Sequence, residues 1–224
     1  MNGADDEKLL GINGLAFSGA IIASVTHELN NVHSIIDQTS GLLEDLLAVA
    51  GPDRPVLPER LQSITEKIQA QTRRGVGIIK RLNTFAHSVD EPVREFEINQ
   101  LLENLIELSR RFANLKKAEL EVEYLPEPVS LVSNPFLLQQ AVYLCYRQLL
   151  VDAEKGHTIR ISIGRDNDGL GIVLTKQPPD SAATEFDAGY VKLIMSRLGG
   201  GYDLKHDENQ TGFTLRLPLV KPNV

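Results

Sequence analysis

Apolar residues recur along the first part of the chain at alternating steps of three and four. One series runs Ile22, Val25, Leu29, Val32, Ile36, Thr39, Leu43, Leu46 and Ala50. This is a heptad seam with Thr39 as its one polar member. A second series, Leu61, Ile64, Ile68, Gln71, Gly75, Ile78, Leu82 and Phe85, alternates in the same way. Between the two lies Gly51 to Pro58 (GPDRPVLP), whose clustered prolines interrupt helix. Two long helices joined by a short loop form an antiparallel hairpin. Such a hairpin has little core of its own. The long seams therefore predict a homodimer in which two hairpins complete a four-helix bundle. The competing arrangement packs the hairpin on the second half of the same chain. Gly75 and Gly77 each cost the second helix about 1 kcal/mol against alanine, and close approach of another backbone would account for them as well as local flexibility would.

Charge and proline at Val89 to Arg94 (VDEPVR) mark a linker. It divides the chain into a helical hairpin over 1–90 and a second domain over 94–224. In the second domain the pattern switches between periods. Helices are expected at Ile98 to Phe112, Asn134 to Ala153 and Asp187 to Leu198, the second opened by Asn134-Pro135 and the third stopped by Gly199-Gly200-Gly201. Strands are expected at Ala118 to Tyr124, Val129 to Val132, Thr158 to Gly164, Gly171 to Thr175, Tyr202 to Lys205 and Gly212 to Leu217, with a turn at Asn167-Asp168-Gly169. The order α-β-β-α-β-β-α-β-β predicts an α+β sandwich with helices on one face of a sheet.

The 224 residues carry a formal charge of -7, with 42% hydrophobic residues. A net acidic chain has no general electrostatic pull on nucleic acid or anionic lipid, so neither is expected as a partner. Cys145 is the one cysteine, inside the apolar run AVYLCY. It excludes an intrachain disulfide and fits a reducing, cytoplasmic compartment. The acidic start MNGADDEK does not read as a signal peptide. The apolar run Leu15 to Val25 is too short for a membrane span and is broken by glycine and serine.

One polar cluster interrupts the first seam: Thr26-His27-Glu28-Leu29-Asn30-Asn31. His27 lies two residues past Val25 and two before Leu29, off the buried stripe and toward solvent. Asn31 follows at i+4 on the same face. Glu28 sits about 100° around the helix. Imidazole is a good phosphoryl acceptor near neutral pH. A neighbouring carboxylate can take the proton that the ring sheds, and an amide one turn away can orient a water. Taken alone, such a cluster is more often just a solvated face. His33, His87, His157 and His206 lack metal-ligand spacing. Arg73, Arg74, Lys80 and Arg81 form a basic face on the second helix, read as solvated surface or as a match for an acidic partner.

The stretch GAIIASVTHELNNVHSII resembles the phosphoacceptor helix of bacterial two-component histidine kinases, particularly the nitrogen-regulation type. That family reads His-Glu-x-Asn-Asn-Pro, and Val32 stands here where its proline would be. The resemblance continues in order through the proline loop, the second helix, the segment from Phe96 and the end LGGGYDLKHDENQTGFTLRLPL. It implies a dimerisation hairpin followed by an ATPase-like domain. It implies His27 as phosphoacceptor, Glu28 as proton acceptor and Asn31 as the amide used in dephosphorylating a response regulator.

Four departures from the family fall in the nucleotide site. Leu144 and Gln148 stand at the places of its magnesium-holding asparagines. Its Asp-x-Gly-x-Gly after a strand is replaced by Lys176-Gln177-Pro178-Pro179-Asp180, while Asp168-Gly169-Leu170-Gly171 precedes the strand and is a decoy. Its glycine-rich helix start becomes Glu185-Phe186-Asp187-Ala188-Gly189, whose carboxylates repel a triphosphate. Too few residues separate Lys176 from Glu185 for its nucleotide lid. The expectation is therefore a degenerate domain with no ATP and no cofactor, magnesium residing only on a receiver-domain partner. The expected role is histidine phosphotransfer with response-regulator receiver domains. The alternatives are a response-regulator phosphatase using Glu28 and Asn31, a non-catalytic binding module, and an atypical active kinase.

Overall fold

The computed structural model describes residues 3–52, 54–165, 169–178, 188–206 and 210–219. Two helices, α1 (Gly3–Ala48) and α2 (Pro58–Ala86), pack side by side as the hairpin, followed by a single 3-10 turn (His87–Val89). Pro58 opens α2 at its first turn, where a missing N–H costs nothing. The rest of the chain runs β1 (Arg94–Glu97), α3 (Ile98–Lys116), β2 (Glu119–Glu123), β3 (Ser130–Ser133), α4 (Pro135–Leu149), β4 (Thr158–Arg165), β5 (Gly169–Gln177), α5 (Gly189–Arg197), β6 (Gly201–His206) and β7 (Thr211–Pro218). The fold class is the expected α+β.

Local chemistry sets several of these boundaries. The Glu97 side chain accepts hydrogen bonds from the backbone N–H of Asn99 and Gln100, both at 2.8 Å, and so caps α3. Asn134 caps α4 by accepting from the Leu137 N–H at 2.9 Å. α3 ends where Lys117 adopts a left-handed conformation, and α5 ends just before Gly199 does.

The main sheet has the order β2-β4-β5-β7-β6. β2 and β4 pair in parallel, and the other pairs are antiparallel. Alternate residues Ile159, Ile161 and Ile163 of β4, Leu170, Ile172 and Leu174 of β5, and Phe213, Leu215 and Leu217 of β7 are buried on the face that the helices cover. Arg160 on the other face bonds Glu121 across the parallel pair at 2.7 Å.

The linker expected at Val89 to Arg94 is shorter than anticipated. β1 starts at Arg94 and pairs antiparallel with β3, forming a separate two-stranded ribbon. The strand expected at Val129 to Val132 joins this ribbon. The helix expected to reach Ala153 ends at Leu149. Asn167 and Asp168 of the expected turn, and Asp187 at the expected start of the last helix, lie outside the described residues.

The first seam is corrected in its upper part. Ile21 is fully buried, whereas Ile22 is 51% exposed. The helix rotates its Gly14-Phe17-Ile21 face toward the second domain, so the buried stripe above Val25 runs through those residues. Ala50 lies beyond the end of α1 and is exposed. Phe17 sits among Phe85 of α2 and Phe136 and Tyr143 of α4, with ring centroids 4.8 to 5.5 Å away. One hydrophobic core thus runs from the hairpin into the sandwich. The packing weighed against dimerisation is present within the chain. Farther up α1, Arg197 of α5 pairs with Glu7 at 2.8 Å, and the Tyr190 hydroxyl donates to the Leu10 carbonyl at 3.5 Å. By length and composition alone α1 passes as long and apolar enough to cross a membrane. Phe17, Ile21 and Val25 of its apolar stretch are spent in this shared core.

Candidate functional site

Val25 and Val32 are buried against the rest of the molecule and fix the rotation of α1. That rotation leaves Thr26, His27 and Asn31 exposed. Asn31 Nδ2 lies 3.4 Å from His27 Nδ1, so the two side chains expected on one face do meet. With Nδ1 turned toward the amide, Nε2 is the free ring nitrogen.

Glu28 points elsewhere. It is half-buried, and its carboxylate accepts a hydrogen bond from Arg74 Nη2 of α2 at 2.5 Å. Val32 supports this pairing one turn along. It packs toward Gly75, where an added Cβ would stand 3.4 Å from Val32 Cγ1. α1 and α2 thus lie close beside the ion pair, with room at Gly75 for little more than a methyl group. Gly77 has open space around its Cα and no such role in packing. Arg74 was legible in the sequence only as part of a basic face. Its partner was not, because the pairing spans 46 residues. Arg81 of the same face pairs with Glu103 of α3 at 3.4 Å, while Arg73 and Lys80 remain exposed. Of the other described histidines, His87 bonds Asp90 at 2.7 Å, and His157 Nδ1 accepts from the Glu154 N–H at 3.1 Å.

In the sandwich, Leu144 and Gln148 are half-buried on α4, and Leu144 offers no atom to a metal or a phosphate. Lys176, near the end of β5, is fully buried. Gln140 of α4 is also fully buried and donates through Nε2 to the Tyr190 hydroxyl at 2.7 Å. Burial pushes that phenol up to about 12. Asp180 and the acidic run Glu185 to Asp187 lie outside the described residues. Among the described residues, no group of three or more His, Cys, Asp or Glu is placed to hold a metal ion.

No family model matches the chain, and no curated protein matches it. Solved structures do. A histidine kinase from Burkholderia phymatum superposes with a TM-score of 0.52 over 91% of this chain and 98% of its own, at 16% identity. The fold is that of the histidine kinases. ThkA, a histidine kinase solved in complex with the response regulator TrrA, matches 92% of this chain and 63% of its own, at TM-score 0.51 and 17% identity. The histidine kinase AdeS of Acinetobacter baumannii matches 87% of this chain and 98% of its own, at TM-score 0.50 and 14% identity. The histidine kinase fold therefore extends over the hairpin and the sandwich together, in one continuous order. His27 lies on the first helix of that hairpin, more than a turn below the aromatic cluster that joins hairpin to sandwich.

Proposed function

We propose that this chain is a histidine phosphotransfer protein of a two-component phosphorelay, working without ATP. The observation that carries the reading is the exposed His27 ring, free at Nε2 and flanked by Asn31. A receiver domain with a phosphorylated aspartate docks on the hairpin. The ring first shifts to the tautomer protonated at Nδ1; the Nε2 lone pair then attacks phosphorus, the aspartyl oxygen–phosphorus bond breaks, and the carboxylate leaves. Glu28 takes the Nδ1 proton once its carboxylate turns from Arg74 to the ring. A second receiver aspartate then collects the phosphoryl group. The ThkA complex with its response regulator supports receivers as partners by analogy of fold.

Three features support a sandwich that does not use nucleotide. Leu144 and Gln148 stand where the kinases hold magnesium, and Lys176 is buried where their adenine-binding aspartate would follow the strand. The residues present do not fit a magnesium nucleotide. The sandwich instead supports the hairpin and helps form the docking surface. The reading also includes a homodimer. Leu15 and Ile22 of α1 and Val76 and Ile79 of α2 are exposed, between 48% and 76%. By the helical rotation they share the side of the hairpin away from the sandwich, where a second copy completes the four-helix bundle. A cytoplasmic location goes with receiver partners and a lone thiol at Cys145.

The test uses a receiver labelled with phosphate on its aspartate. Label should move to the wild-type chain and not to His27→Ala. Incubation with labelled ATP and magnesium should leave the chain unlabelled. Label arriving from ATP would sink the reading and restore a kinase. The contact between Asn31 and His27 favours one second reading, a response-regulator phosphatase. Asn31→Ala separates the two: transfer persists under the first, and loss of free phosphate release marks the second. Val76→Glu combined with Ile79→Glu should convert the dimer to monomer in sedimentation equilibrium.

A further inference from the structure

A cleft of about 340 Å³ opens between α1, α2 and α3 on the sandwich side of the hairpin. Its polar wall holds Arg74 and Arg81 of α2, Arg110 and Arg111 of α3, and the carboxylates of Glu28 and Glu107. Val25, Ile78 and Leu108 supply an apolar floor. Four guanidiniums thus converge against two carboxylates, in a chain whose formal charge is -7. Like charges gathered in one partly buried cleft repel one another.

Their pairing within the chain leaves most of their donors to solvent or to a ligand. Arg74 donates to Glu28, and Arg110 donates to Glu107 through Nε and Nη2. Arg81 reaches Glu103 at only 3.4 Å, the long end of a hydrogen bond. Arg111 is half-buried and makes no hydrogen bond or ion pair among the described residues. Each guanidinium has five N–H donors, so most donors facing the cleft lack a protein acceptor. The cleft is also held open rigidly. Asn104, buried in α3, donates Nδ2 to the Arg81 carbonyl at 3.1 Å and locks α2 to α3.

We propose that this cleft binds a small phosphorylated molecule, of mononucleotide size or less. Planar guanidiniums match phosphate oxygens two at a time. The volume lies at the lower end of small-molecule sites. The apolar floor fits a base or a short carbon skeleton. The site is separate from the α4–α5 region of the sandwich and asks for no metal. Occupancy draws Arg74 away from Glu28; that one consequence, a change in the rate of transfer to His27, rests on the phosphotransfer reading, and the binding itself does not.

The test is calorimetry of the full chain with inorganic phosphate, pyrophosphate, AMP and GMP, in the presence of a chelator that removes magnesium. At least one probe should bind with a dissociation constant below about 1 mM. Arg111→Ala and Arg111→Gln should each weaken that probe about tenfold or more, the loss expected when a charge-assisted hydrogen bond goes. Arg73→Ala, on the exposed face of α2, should leave it unchanged. Arg111 makes no hydrogen bond or ion pair among the described residues, so these variants should keep the native circular dichroism. Failure of every probe to bind overturns the proposal. Binding that is equal in wild type and in both Arg111 variants also overturns it and places the ligand elsewhere.

Discussion

Phe17→Ala tests whether the hairpin and the sandwich are one cooperative body. Phe17 is 2% exposed and contacts three rings drawn from α2 and α4. Truncating a buried phenylalanine costs about 3 to 5 kcal/mol, from lost burial and the cavity left behind. The edge-on contact with Phe85, at an interplanar angle of 89°, places this site toward the upper end. Taking about 4 kcal/mol and a urea m-value of about 3 kcal/mol per molar, the unfolding midpoint should fall by roughly 1.3 M. Phe17→Leu keeps most of the volume and should cost under about 1.5 kcal/mol. The assay is urea unfolding followed in parallel by far-ultraviolet circular dichroism, dominated by the helices, and by tyrosine fluorescence, since all five tyrosines lie in the sandwich. Both probes should shift together. A midpoint change below about 0.3 M, or a shift in the helical probe alone, would refute the shared core and return the chain to two independent units.

Asn104→Ala should cost about 1 to 2 kcal/mol in the same assay, because it removes the side-chain hydrogen bond that ties α3 to the Arg81 carbonyl of α2. Gly200→Ala should be destabilising by at least about 1 kcal/mol, since its Cβ would press on the Arg216 carbonyl oxygen and the Met195 methyl. Stability should fall at alkaline pH. Burial raises Cys145, Tyr146 and Tyr202 well above their usual range and takes Tyr190 to about 12. These groups fold neutral but lose their protons more readily when unfolded, where the ordinary values are 9.0 for the thiol and 10.0 for the phenols. Their contribution is therefore full below about pH 9 and is lost as pH rises toward 12. A urea midpoint no lower at pH 11 than at pH 9 would contradict this.

Much of the hairpin was legible because period dominates over context. Val25 and Val32 lie on the seam as read, and the same periodicity put His27 and Asn31 together on the solvent side. The error at Ile22 has a physical source. Ile21 and Ile22 are adjacent and equally apolar, and the helix has two surfaces to cover. Only the arrival of α4 decides which isoleucine is buried. β1 escaped notice because Arg94–Glu97 carries a single apolar residue, Phe96, and owes its extended form to β3. The parallel pairing of β2 with β4 has no local signature, since the partners are separated by β3 and α4. At the site, residue types and spacing pointed to His27 and Asn31. The engagement of Glu28 with Arg74 and the convergence of Arg110 and Arg111 beside it depend on how three helices cross, which no spacing along the chain encodes.

The aromatic junction also dictates an order of assembly. The partners of Phe17 on α4, Phe136 and Tyr143, are synthesised more than a hundred residues after it. During synthesis the first helix must carry Phe17 without its α4 partners until that helix has emerged. Contacts this distant in sequence slow folding and leave nascent chains sticky. A chain cut after α2 would keep that apolar face in water permanently. The hairpin that bears His27 is thus made before the helix that covers it and is among the last parts to be finished.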